Sequence, residues 1–113
     1  MTNGANSIPV IDFRASTSEL TGHHNFLLAD VNDHCLRIAV FEGEWRWHRH
    51  PSSDELFVVV EGMLEIDLDG GTVRLGPGQA YLVPANARHR TRAPVRTVNL
   101  CFERVDAETV FED

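Results

Sequence analysis

The chain has 113 residues, 42% hydrophobic and 24% charged, the composition of an ordinary folded domain and not of a disordered or collagen-like one. That length holds one compact domain and excludes a two-domain enzyme. Ten basic against seventeen acidic residues leave a formal charge of −7, which disfavours nucleic acid and anionic membranes as partners. No apolar run approaches the roughly 18 residues of a membrane span, and Met1 to Ile8 lacks a basic and then apolar leader. Cys35 and Cys101 stand alone without a Cys-x-x-Cys, so neither a disulfide framework nor a cysteine zinc site is indicated. A soluble, cytoplasmic, single-domain protein is the expectation.

In chain order, residues 1–24 are polar apart from Val10-Ile11 and Phe13 and read as an arm or first strand. Residues 25–105 alternate short apolar runs with turn signals. The runs are Phe26 to Ala29, Cys35 to Phe41, Leu56 to Val60, Met63 to Leu68, Thr72 to Leu75, Gln79 to Val83 and Thr97 to Phe102. Between them lie Asn32-Asp33, Gly43, Pro51 to Asp54, Glu61-Gly62, Asp69-Gly70-Gly71, Gly76-Pro77-Gly78, Pro84-Ala85-Asn86 and Ala93-Pro94. Many short strands divided by such turns predict an all-β sandwich or barrel. Asp69-Gly70-Gly71 predicts a hairpin, because glycine takes positive φ without steric cost. Residues 106–113 read as an acidic tail, and only the stretch from Glu103 onward offers a helical turn.

Both faces of Leu56-Phe57-Val58-Val59-Val60 are apolar, so both need cover. One face points into a barrel, while the other needs a second sheet or another subunit. Trp45 and Trp47 are expected to share one strand face opposite His48 and His50. A tryptophan pair on so small a chain points either to an interface or to cover by an N-terminal strand; with the two-sided strand it leads to the expectation of a homodimer.

The chemistry concentrates in His48-Arg49-His50-Pro51-Ser52-Ser53-Asp54-Glu55. On a strand, residues i and i+2 face the same way, so His48 and His50 present both imidazoles to one side. Pro51 keeps His50 extended and ends the strand. The loop from Ser52 to Asp54 then reverses the chain and brings Glu55 beside the two rings. A third imidazole, His89, follows the turn at Pro84-Ala85-Asn86. Three imidazoles and one carboxylate suit a divalent first-row ion (Fe, Mn, Ni or Zn), and an octahedral ion would keep two positions open.

At these residues the sequence resembles a small single-domain member of the cupin family. The first family motif, G-x5-H-x-H-x(3,4)-E-x6-G, corresponds to Gly43 through Gly62, with four residues instead of five before His48. The second, G-x5-P-x-G-x2-H-x3-N, corresponds to Gly78 through Ala93, with Asn86 at the inner glycine and Ala93 at the asparagine. The resemblance implies a double-stranded β-helix, or jelly roll, and a metal held by His48, His50, Glu55 and His89. Asn86 is a mild departure, since asparagine tolerates left-handed backbone better than most residues. Ala93 brings no polar tip.

Outside the motifs, His23, His24 and His34 read as solvent-facing loop or strand-end residues. Arg88, Arg90 and Arg92 alternate with His89, so they point away from the metal as a solvated or salt-bridged face. Arg46 shares the parity of His48 and His50 and is a candidate to meet an anionic substrate, unless it pairs with Glu42 or Glu44. Tyr81 is a second candidate substrate contact, against a core or rim position as the default. No acid or base separate from the ligands stands out. The family resemblance implies metal-dependent catalysis on a small polar metabolite, with oxygenase, isomerase and decarboxylase types as the candidates. The alternative is a non-catalytic module that holds a small ligand through the metal. The observation that discriminates them is a pocket open to solvent with free metal positions, against one plugged by side chains such as Phe57, Phe102 or Trp47.

Overall fold

The computed structural model describes residues 9–113; the first eight residues of the expected arm lie outside the described part. One short helix, α1 (Phe13–Thr17), precedes nine strands: β1 (His24–Val31), β2 (His34–Glu44), β3 (His48–Arg49), β4 (Glu55–Glu61), β5 (Leu64–Leu68), β6 (Gly71–Leu75), β7 (Ala80–Val83), β8 (His89–Arg104) and β9 (Val110–Phe111). All pairings are antiparallel, in the order β1-β2-β8-β3-β9, with β4-β7 and β5-β6 joined along β8. The strands wrap into the double-stranded β-helix that the family resemblance implied. No described helix is long and apolar enough to cross a membrane.

β8 is the organising strand. Its first part, His89 to Arg92, pairs with β5, and its later part, Val98 to Glu103, pairs with β4. Nearly its whole length runs beside β2. Sequence reasoning placed a turn at Ala93-Pro94; the chain instead continues as one 16-residue strand. Proline is tolerated because residues 94–96 have no cross-strand partner on either side, so its missing N–H interrupts no ladder.

Burial follows strand parity. Phe57 and Val59 of β4 join Phe41, Leu64, Ile66, Leu75, Val83 and Ala93 in an inner core. Val58 and Val60 face outward against Ile38, Val40, Val98 and Leu100. This outer core is roofed in part by Phe13 and Leu20 on and after α1. A five-residue helix has little stability of its own. Outer residues such as Ile38, Val40 and Val98, all 0% exposed, each contribute about 1.5–3 kcal/mol by leaving water, and that packing holds the helix in place. Asp12 caps its first turn by accepting from the Ala15 N–H at 3.0 Å. Arg96 donates to the carbonyls of Thr17 (2.7 Å) and Leu20 (3.1 Å) at the other end.

The tryptophans do not share a face, because residues 45–47 are not strand. Trp45 turns to the cavity with His23, whereas Trp47 lies under the guanidinium groups of Arg88 and Arg90 at 4.1 and 5.2 Å. The arginine run is satisfied within the chain. Arg90 and Arg92 both donate to Asp67 (2.8 and 2.6 Å), and Arg92 also reaches Glu65 at 3.0 Å. Residues 106–113 form no helical turn. Their strand β9 pairs with β3, Glu112 bonds Arg49 at 3.2 Å, and Asp113 bonds Arg46.

Candidate metal centre

Four elements deliver the site. β3 carries His48, the extended residue after it is His50, β4 opens on Glu55, and β8 opens on His89. His48 and His89 are direct cross-strand partners. Asn86 sets the approach to His89: it takes φ +69, the left-handed conformation that its position demands, and its N–H donates to the His50 carbonyl at 2.8 Å. His48, His50 and Glu55 are 6–7% exposed and His89 is 0% exposed. The ring centroids lie 4.3 Å (His48–His89), 5.0 Å (His48–His50) and 5.6 Å (His50–His89) apart. One ligand atom from each of the four residues lies within 4.8 Å of the others.

Hydrogen bonding fixes which atoms those are. Nδ1 of His48 donates to the Arg46 carbonyl at 2.7 Å, Nδ1 of His50 to the Glu108 carbonyl at 2.9 Å, and Nδ1 of His89 to the Ala87 carbonyl at 2.9 Å. A carbonyl only accepts, so each Nδ1 carries the proton and each neutral ring keeps its lone pair on Nε2. Nε2 of His89 and of His50 lie 3.3 and 3.1 Å from Oε1 of Glu55. The His50 contact is close but misaligned, leaving that buried nitrogen without a hydrogen-bond partner. Lone pairs facing a buried carboxylate need a positive charge among them, either a proton or a metal ion. Without metal the proton serves. Burial disfavours a charged His50, yet the adjoining Glu55 outweighs it and raises the ring to about 9. Burial likewise pushes Glu55 up, but His50 and His89 draw it down to about 2. His48 moves the other way, lowered by burial and by the neighbouring His89 and His50. The donor set, the orphaned Nε2 and the outer carbonyls all fit a divalent first-row ion.

The centre lies at one end of a cavity of about 530 Å³. Phe41, Phe57, Trp45 and Phe111 give it apolar walls, and Asn99, Cys101 and Glu103 of β8 line it as well. Phe57 is a wall and not a plug; Phe102 stacks on His34 and Trp47 on the arginines, both away from the cavity.

Residues 37–101 match the family model described as Cupin domain, which is more than half of the chain. The chain belongs to the cupin family. This cupin is 56% identical over 89 residues to the uncharacterized protein YdbB of Bacillus subtilis (strain 168), covering 78% of this chain and 79% of that protein. A crystal structure of a cupin-2 domain containing protein from Shewanella frigidimarina superposes with a TM-score of 0.80 at 30% identity, covering 84% of this chain and 94% of that one. A shorter likeness, 51% over 45 residues, links it to the polyketide synthase CurC of Streptomyces cyaneus; it covers 40% of this chain and 29% of that protein.

Both suggested substrate contacts fall outside the cavity. Arg46 bonds Asp113 at 2.7 and 3.0 Å and lies 3.8 Å over the Phe111 ring, because residues 45–47 leave the strand parity on which its assignment relied. Tyr81 packs against the inner core. His23, read as a solvent-facing residue, lines the mouth with its ring 5.1 Å from Trp45. Glu103 is the residue that sequence reasoning missed. It pairs with Glu55 across β4 and β8, and burial followed by the Glu55 charge pushes it up to about 7. Its only sequence signal was its parity with Asn99 and Cys101. Cys101 is walled in, and burial holds its thiol protonated well above the usual range, consistent with an inert role.

Proposed function

We propose that this cupin is a metal-dependent enzyme acting on a small polar metabolite. One observation carries the reading: four buried ligand atoms, three of them aimed by carbonyl contacts, converge on a cavity that no side chain plugs. A divalent Fe, Mn, Ni or Zn ion held by His48, His50, Glu55 and His89 would supply Lewis acidity or dioxygen chemistry. The chain's own residues do the rest. Arg46, Glu108 and Ala87 orient the rings through their carbonyls. Phe41, Phe57 and Trp45 keep the walls dry, which strengthens charge interactions at the buried end. Glu103, a carboxyl outside the four-residue set, lines the same cavity, and in the metal-free protein burial and the Glu55 charge raise it to about 7. A carboxyl in the cavity apart from the four-residue set admits acid–base chemistry, so isomerase and decarboxylase types stand level with oxygenase. The short likeness to a protein named as a polyketide synthase supports an enzymatic setting for this stretch of chain.

The test is elemental analysis of the protein as isolated, followed by turnover of a metabolite panel on metal-loaded protein, with oxygen uptake recorded. Bound metal is expected in the wild type and absent in His89→Ala. Activity surviving His48→Ala or His89→Ala overturns the proposal. Ligand binding without turnover would assign the cavity to capture alone.

A further inference from the structure

All ten basic residues of this chain are arginine. Eight of them close ion pairs with acids of the same chain; the exceptions among the described residues are Arg14, on α1, and Arg37. Arg37 lines the cavity. Residues 1–8 contain no acidic side chain that would pair with it. Asn25 steadies the head without neutralising it: Nε donates to Oδ1 at 2.8 Å, and one terminal nitrogen meets the Asn25 carbonyl at 3.5 Å. Seventeen acids are present, and none closes an ion pair with this guanidinium. Glu103 lies on the same wall, since Arg37 pairs across the sheet with Cys101, two residues away. It forms no ion pair with Arg37 either.

Position matters as much as charge. Arg37, Cys101 and Phe57 are successive cross-strand partners, so Arg37 stands two strands from β4 and one inward step from Glu55. Along the sheet the Cα atoms of Arg37 and Glu55 are about 12 Å apart. Both side chains line the one cavity, the guanidinium held on the β1 side by Asn25 and the carboxylate turned to His50 and His89, with space between them for a molecule of a few carbons. On the same wall, Glu103 Oε2, level with Glu55, and Asn99 Oδ1, one inward step beyond Arg37, are buried oxygens with no hydrogen-bond partner among the described residues. Such oxygens take O–H or N–H donors. The open edge of a guanidinium takes a carboxylate through two parallel bonds.

We propose that Arg37 is the anion anchor of the cavity and that the ligand is a small hydroxylated carboxylate. Its carboxylate lies on Arg37, its hydroxyl donors meet Asn99 and Glu103, and an oxygen at its far end meets the four-residue centre. The far-end contact rests on the metal-dependent reading above; the anchor at Arg37 does not.

The test is calorimetric titration of metal-free and Zn(II)-loaded protein with glycolate, malate and 4-hydroxybenzoate, each against its amide. At least one acid is expected to bind the wild type about 10–100-fold more tightly than its amide. Arg37→Gln is expected to erase that preference while keeping the zinc content and the circular dichroism of the wild type. Arg37→Lys keeps the charge but not the fork, and is expected to retain part of it. Arg46→Gln is expected to retain all of it. Equal binding of acid and amide, binding by none of the acids, or a preference undiminished in Arg37→Gln overturns the anchor. Zinc uptake with no Arg37 effect defeats this inference and leaves the metal reading standing. An Arg37-dependent preference in protein that takes up no metal does the reverse.

Discussion

Deleting the last six residues, Glu108 to Asp113, tests how the centre is oriented. The Glu108 carbonyl is the acceptor that fixes Nδ1–H of His50, with Thr109 Oγ1 3.3 Å from the same nitrogen. The deletion also removes β9, the Phe111 wall and the pairs Arg46–Asp113 and Arg49–Glu112. Those pairs are at least partly exposed and screened, so they bear little on the metal. Loss of the outer partner of a ligating histidine typically weakens metal binding about 10–100-fold, or about 1.4–2.7 kcal/mol. Competition against a chelating dye measures this directly on a chain ending at Ala107. A double variant, Glu112→Gln with Asp113→Asn, breaks both ion pairs but keeps the Glu108 carbonyl, and is expected to bind metal within about 3-fold of the wild type. Wild-type affinity in the truncated chain, or an equal loss in the double variant, would refute the reasoning.

Three further outcomes are expected. In metal-free protein, His50 is raised from 6.5 to about 9 and Glu55 lowered from 4.5 to about 2. The His50 contribution to stability is full below pH 6.5 and fades as pH rises through 9, while that of Glu55 is full above 4.5 and fades as pH falls through 2. Metal must displace the His50 proton, so calorimetry in buffers of differing ionisation enthalpy is expected to show proton release at pH 7; none would contradict the assignment. Gly62 has φ +92, and a Cβ there would meet Arg96 O and Thr97 Oγ1 at 2.5 Å. Gly62→Ala is therefore expected to cost at least about 2 kcal/mol in thermal or denaturant unfolding, and a neutral effect would contradict that packing. Leu36, Phe102, Leu56 and Leu82 form one apolar row across four strands on the outer face, with Leu82 50% exposed. We propose that a second copy covers this row. Sedimentation is expected to show a dimer that Leu82→Glu dissociates, and a monomer at micromolar concentration would refute it.

Three of the four candidate ligands were legible because strand parity and a proline-ended turn are local: His48, His50 and Glu55 lie within one β-turn-β unit, whereas His89, far along the chain, was placed by the second family motif. Asn86 was legible locally as well, since a left-handed residue declares itself by type. Arg37 and Glu103 were not. Their importance comes from register between strands far apart in the chain, such as Glu55 opposite Glu103, and no periodicity encodes that register. Parity also misled where the strand stops. Residues 45–47 leave the sheet, so the alternation that assigned Arg46 inward and both tryptophans outward did not apply. Pro94 read as a break because proline usually ends strands, whereas here it occupies the one stretch of β8 that hands over between neighbours.

The dominance of β8 shapes how the molecule assembles in time. A ribosome finishes β2 to β7 before the strand that joins them emerges, and every pairing that β8 makes with them closes a long loop of chain. Until it docks, His89 is apart from the other ligands and the inner wall is incomplete. An ion held by the four-residue centre would thereby be captured late in maturation, and a nascent or partly refolded chain would have little means of sequestering the wrong metal early.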